Sequence, residues 1–143
     1  MCHVKRREEQ RKKFVIVDAG MNDLVRPALY GSHHEVLPVR RRQQEGEEPA
    51  GGTGELVDVV GPVCESGDFL ALGRDCVELQ SAGEGDLLAV LGAGAYAFAM
   101  ASNYNSRGRA AEVMVQGGRA QVVRRRETRE DLVAHEISPT WQS

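Results

Sequence analysis

The stretch AEVMVQGGRAQVVRR, residues 111–125, sets two β-prone runs on either side of Gly117-Gly118. A two-residue Gly-Gly loop supplies the positive φ angles that a tight hairpin requires, so two antiparallel strands are predicted here. Working outward, FVIVDAG (14–20) has β-branched and aromatic residues closed by Asp-Ala-Gly, the pattern of a buried strand running into a turn. HEVLPVRR (34–41) predicts a strand at a sheet edge, since Pro38 has no N–H for a central ladder. ELVDVVGPVC (55–64), DFLALG (68–73), CVEL (76–79) and DLLAVLGAGAY (86–96) are short apolar stretches separated by ESG and SAGEG turn chemistry. That spacing predicts a mainly β chain, a Greek-key-like β-sandwich or barrel.

Helices are expected to be short and few, near residues 21–30, 97–104 and 128–136. Pro27 limits the first to about one turn ending at Gly31. The second starts in AFAMASNYN and stops at Asn and Gly. The third has Thr128 as N-cap with Asp131 three positions later. GAGAY shows no clear helix N-terminus. Residues 1–13 are almost wholly charged or polar and read as a solvated lead-in, followed by one domain over 14–137 and a tail at 138–143. Residues 40–54 mix both charge signs with Gly and Pro and read as a mobile loop.

Composition narrows the function classes. The chain has 143 residues and a net charge of -3, so no global positive field draws it to nucleic acid. Its Arg runs at 40–42 and 124–126 are offset by Glu45, Glu47 and Glu48 and by Glu127 and Glu130, with few aromatics to stack bases. Cys2, Cys64 and Cys76 are odd in number and lack CxxC spacing, which predicts reduced thiols in a cytoplasmic protein and no metal site. No apolar run approaches the roughly 18 residues needed to cross a bilayer.

Four blocks, FVIVDAGMNDLVRPALYG, VVGPVCESGDFLA, GDLLAVLGAGAYAFAMASNYNSRGRAAEV and RRRET, come in this order between Phe14 and Leu132. Together they resemble the C-terminal portion of the diaminopimelate decarboxylase family. Family members are pyridoxal-phosphate enzymes that join an N-terminal (β/α)8 barrel to a C-terminal β domain and work as homodimers. By resemblance, this chain matches the second part, decarboxylates meso-2,6-diaminopimelate to L-lysine together with a barrel, and shares its active site across a dimer interface. Its only lysines, Lys5, Lys12 and Lys13, lie in the charged lead-in, so the lysine that holds the cofactor as an imine is assigned to the barrel, with most of the phosphate site.

The resemblance also implies roles. Arg26 and Tyr30 match the clamp for the substrate's distal carboxylate, which a guanidinium can grip through two parallel hydrogen bonds. Glu65 matches the residue that holds the distal ammonium. Cys64 matches the proton donor for the carbon that loses CO2, a task a thiol can perform near neutrality. Tyr96 matches a tyrosine touching both cofactor and substrate, while Tyr104 corresponds to no catalytic position. Two alternatives stay open: a related decarboxylase of basic amino acids, disfavoured because Arg26 repels a cationic terminus, and a non-catalytic dimerisation module.

Overall fold

The computed structural model describes residues 3–7, 12–39, 56–74, 79 and 82–142. The expected loop at 40–54, Cys2, Cys76 and most of the CVEL stretch lie outside them. The described chain is mainly β with short helices, as the sequence predicts. Its strands are β1 (His3–Arg7), β2 (Lys12–Ile16), β3 (Val36–Pro38), β4 (Leu56–Val60), β5 (Phe69–Arg74), β6 (Leu88–Val90), β7 (Glu112–Gln116) and β8 (Arg119–Arg124). They form three open sheets, ordered β1-β2-β4-β5, β3-β6 and β7-β8, and among the described residues none closes into a barrel.

The first sheet positions the site. β1 with β2 and β4 with β5 are antiparallel, but β2 and β4 run parallel, with Val15 opposite Val59. Parallel neighbours send their C-terminal ends out of the same sheet edge. The loop after Ile16 and the loop after Val60 therefore emerge side by side, tied at their start by Val17 N–H donating to the Val60 carbonyl at 2.9 Å. Alternation puts Val15, Val17, Val57 and Val59 into the core, none more than 8% exposed, with Leu24, Val36, Leu70, Ala71 and Leu79 packed among them. Burying each such Val or Leu side chain contributes about 1.5–3 kcal/mol relative to leaving it in water.

Asp58, between Val57 and Val59 on β4, points to the opposite face, and its Oδ1 accepts from Gly73 N–H at 2.6 Å. That bond braces β5 where the β4–β5 register shifts. β3 pairs only with β6 among the described strands, consistent with the edge role that Pro38 predicts.

The helices with described bounds are short: α1 (Arg26–Tyr30), α2 (Gly94–Ala97) and α3 (Arg129–Val133). α1 carries Pro27 in its first turn and stops at Gly31, whose φ of 63° is left-handed. α3 has the predicted capping box, in which Asp131 N–H donates to the Thr128 hydroxyl and Thr128 N–H to the Asp131 carboxylate. The hairpin forms as expected, with φ of 54° and 75° at Gly117 and Gly118, the values of a two-residue turn that follows the strand twist. Its Arg124 and the preceding Arg109 both place guanidinium groups over the Phe98 ring, at 4.1 and 5.2 Å.

Local signals mislead in two places. The charged lead-in contains β1 and the start of β2, so its backbone is paired in the sheet. Charge marks a segment as poor in core side chains and says nothing of whether its backbone joins a ladder. In GAGAY a helix does begin, at Gly94, earlier than the predicted 97, and it runs into a 3-10 turn at Phe98–Met100. Alanine's helix propensity there wins over the flanking glycines.

Leu70 is 1% exposed and Val115 is 71% exposed. Leu70→Ala is expected to cost about 2–5 kcal/mol by urea unfolding, whereas Val115→Ala should stay within about 0.5 kcal/mol. Equal losses at both positions would show that the hairpin face is as buried in solution as the core.

Candidate active site

The two loops from the β2–β4 edge carry the predicted chemistry. The first runs through Met21 and Asn22 into α1, and the second spans Gly61 to Asp68. One buried carboxylate joins them. Asp68, 5% exposed, accepts from Met21 N–H through Oδ1 at 2.6 Å and from Val63 N–H through Oδ2 at 2.5 Å. A carboxylate that receives backbone N–H groups from two loops fixes both relative to each other. Gly61 and Gly20 make room for it, since a Cβ at Gly61 would fall on the Asp68 carboxylate and one at Gly20 would stand 3.1 Å from Oδ1. Within the second loop, Gly61 N–H donates to the Asp68 carbonyl and Asp68 N–H to the Glu65 carbonyl, so Cys64 and Glu65 sit at the tip of a closed turn.

On α1 the i, i+4 spacing puts Arg26 and Tyr30 on one face. The Arg26 guanidinium lies 5.7 Å from the Tyr30 ring centre and 4.9 Å from that of Tyr96, which α2 supplies. Such cation–π contacts contribute about 0.5–1 kcal/mol at exposed sites, and here they aim the guanidinium while both phenols stay open, 64% and 57% exposed. Arg26 and Tyr96 share the wall of an open cavity of about 440 Å³ with Ser32, His34, Glu35 and Gly92. His34 is 6% exposed and its Nδ1 lies 3.1 Å from the Leu91 carbonyl, which identifies that nitrogen as the donor. Its Nε2 has no hydrogen-bond partner among the described residues.

Cys64 and Glu65 form a second group, on the loop whose Gly67 packs against α1. Cys64 is exposed. The Glu65 carboxylate accepts from the Ser66 hydroxyl at 3.1 Å, from Gly67 N–H at 3.4 Å and from the Tyr104 hydroxyl at 3.2 Å. The Gly67 N–H first, then the Ser66 and Tyr104 hydroxyls, hold this carboxyl below its ordinary pKa, while the hydrogen bond to Glu65 and its charge hold the Tyr104 phenol above its own. Gly67 also faces α1, where a Cβ would be 3.6 Å from that of Ala28. The structure thus gathers Arg26, Tyr30 and Tyr96 in one cluster and Cys64 with Glu65 in another on the adjoining loop.

Residues that the sequence did not single out complete the arrangement. Asp68 reads in sequence only as part of a Ser-Gly-Asp turn. Tyr104 arrives on a segment anchored at both ends: Arg107 donates to the Asn22 Oδ1 at 2.9 Å and to the Asp18 carbonyl at 2.5 Å, and Asn103 donates to Glu127 at 2.7 Å. Glu127 also receives the Arg109 backbone N–H at 2.8 Å and its guanidinium at 2.8 and 2.5 Å.

The described residues offer a pyridoxal group a contact without offering it an anchor. Tyr96 presents an exposed ring, but no lysine lines the cavity, and Lys13 lies on β2.

The family described as pyridoxal-dependent decarboxylase, C-terminal sheet domain, matches residues 1–94. The chain belongs to this family. It is 46% identical over 127 residues to a diaminopimelate decarboxylase of Aquifex aeolicus and 54% identical over 127 residues to that of Pseudomonas fluorescens, in both cases over 89% of this chain. Among solved structures it is similar to a diaminopimelate decarboxylase of M. jannaschii in co-complex with L-lysine, with a TM-score of 0.76 and 37% identity over 96% of this chain. The chain spans only about 28% of the length of each of these relatives.

Two outcomes test the scaffold. Asp68→Ala leaves the Met21 and Val63 N–H groups without their acceptor, at about 1–3 kcal/mol each, and Asp68→Asn, which keeps one acceptor oxygen, should lose about half as much by urea unfolding; a neutral Asp68→Ala would show that the loops do not depend on it.

Glu127 gives a pH signature. The Arg109 guanidinium first, then the Arg109 N–H and the Asn103 amide, lower its pKa from 4.5 to about 2. Because the folded value is the depressed one, its contribution to stability is fully present above about pH 4.5 and is lost as pH falls through about 2. The NMR shift of the Arg109 amide should therefore titrate with a midpoint near pH 2; a midpoint at the ordinary value of 4.5 would contradict the ion pair.

Proposed function

We propose that this chain is the substrate-gripping and proton-delivering part of a diaminopimelate decarboxylase, acting together with a barrel half and as a homodimer. What supports the reading is the Asp68 tie, which joins the loop leading into α1, where Arg26 stands against the Tyr30 and Tyr96 rings, to the loop that carries the exposed Cys64–Glu65 tip. A substrate with a carboxylate and an ammonium at its distal end needs a cation and an anion held at a fixed separation. Arg26 with Tyr30 supplies the first and Glu65 the second.

Pyridoxal phosphate, when bound, supplies the electron sink that lets CO2 leave, and its imine lysine is assigned to the barrel. Tyr96 is this chain's contact to that group and to the substrate. The Cys64 thiol delivers a proton from its Sγ to the carbon that has lost CO2. Its place at a loop tip lets that sulfur reach beyond its own domain, as a site shared between subunits requires. The exposed apolar side chains of Val113, Val115 and Val122 on the hairpin support a surface that a partner covers. Among the described residues no helix is long and apolar enough to cross a membrane. Arg26 argues against ornithine or arginine as substrate, because a guanidinium repels a cationic terminus.

The test is an assay of the enzyme assembled from this chain and a barrel half. Arg26→Ala should raise KM for meso-diaminopimelate roughly 10- to 150-fold, the range for a hydrogen bond to a charged group. Cys64→Ala should lower kcat about 10²- to 10⁴-fold with KM little changed. The 143-residue chain by itself should release no CO2. Preference for ornithine over meso-diaminopimelate, or full activity of Cys64→Ala, would overturn the assignment.

A further inference from the structure

Glu65 sits on an exposed tip, and its Oε1 accepts hydrogen bonds from its own loop, from Ser66 and Gly67. Oε2 is held from far along the chain, by the Tyr104 hydroxyl at 3.2 Å. Without that bond the carboxylate could swing about the anchored oxygen.

The segment that delivers Tyr104 is built for outward reach. Tyr104 is 44% exposed, and Asn105 and Ser106 after it are exposed as well, so core packing does not require them in place. Both nonetheless take left-handed backbone, with φ of 55° and 53°, a region that asparagine tolerates but serine enters only at a cost. Two consecutive such residues persist where surrounding structure over-determines them, and they cluster at functional sites. Here the surroundings are visible. Ser102 N–H donates to the Asn22 carbonyl at 2.9 Å, Asn103 bonds Glu127 and the Arg107 carbonyl, and Arg107 bonds Asn22. A Cβ on Gly108 would stand 2.7 Å from the Glu127 carbonyl oxygen, so the strap is tight where it leaves the turn. The strain is thus held by anchors at its two ends, and what projects between them is a phenol directed at Glu65.

We propose that Tyr104 is a positioning residue for Glu65: by fixing Oε2 it orients the carboxylate toward the distal ammonium of an amino-acid substrate and sharpens selection for substrates that carry one. The proposal rests on the reading of Glu65 as the ammonium partner. The groups facing Glu65 are the Ser66 hydroxyl and N–H, the Gly67 N–H and the Tyr104 phenol, and the Cys64 sulfur lies close enough to the phenol to act on it when ionised.

The first experiment is an NMR titration of the Glu65 side-chain carboxyl in the full 143-residue chain, with Glu127 as an internal reference for the strap. Tyr104→Phe should move the Glu65 midpoint upward and leave that of Glu127 in place. An unmoved Glu65 midpoint would overturn the proposal. If Glu127 moves too, the strap itself has loosened, and Glu65→Gln decides from the other side: by ultraviolet difference titration the Tyr104 phenol should then ionise at lower pH, and an unchanged phenol would overturn the proposal. In the enzyme assembled with a barrel half, Tyr104→Phe should raise KM for meso-diaminopimelate roughly 3- to 10-fold, the loss expected of one hydrogen bond, with kcat nearly constant and with little change for 2-aminopimelate, which lacks the distal ammonium. A Glu65 shift accompanied by equal KM rises for both compounds would keep Tyr104 as the orienting group and discard the ammonium role of Glu65.

Discussion

The Asp68 carboxylate is the constraint on which the site depends. It stands in a space kept open by Gly61 and Gly20 and takes an N–H from each of two loops. Those loops are brought together because β2 and β4 are parallel and end at the same edge. Parallel pairing alone would leave them as two independent excursions. A nearly buried anion, which must find donors because its desolvation is otherwise uncompensated, makes them one unit.

From that unit follows a division of labour. α1 sets the Arg26 guanidinium between the rings of Tyr30 and Tyr96, and the neighbouring turn carries Cys64 and Glu65 at its tip. The charged and nucleophilic groups stay open while the groups that hold them are buried or bonded. Such an arrangement suits binding that has to be completed from outside, because rigidity comes from the backbone ties and the side chains remain free to meet a ligand.

Much of this was legible in the residues. Gly117-Gly118 between two β-prone runs, Gly31 after RPALY and the Thr128–Asp131 box each specify a turn, a stop or a start through neighbours a few positions away, and each appears where it was expected. Arg26, Tyr30, Cys64, Glu65 and Tyr96 could be singled out because they stand inside contiguous blocks that carry a family resemblance. Tyr104 lies in one of those blocks as well, yet nothing nearby in sequence marks it. Its partner is 39 residues away. Asp68 was visible only as a turn residue, since the backbone groups it receives belong to Met21, 47 positions back, and to its own loop.

The amino-acid sequence by itself determined where short strands and turns form, which ends of helices are capped, and which chemical groups are available to a site. Backbone preference and capping act over a few residues, so they can be read locally. Only the tertiary structure decided that β1 pairs despite its charged sequence, that β2 meets β4 in parallel, and that a strained turn brings Tyr104 to Glu65. These outcomes depend on burying Val15, Val17, Val57 and Val59 together and on giving the buried Asp58 and Asp68 carboxylates backbone donors. Both requirements are met by residues distant in the chain, where no local pattern records them.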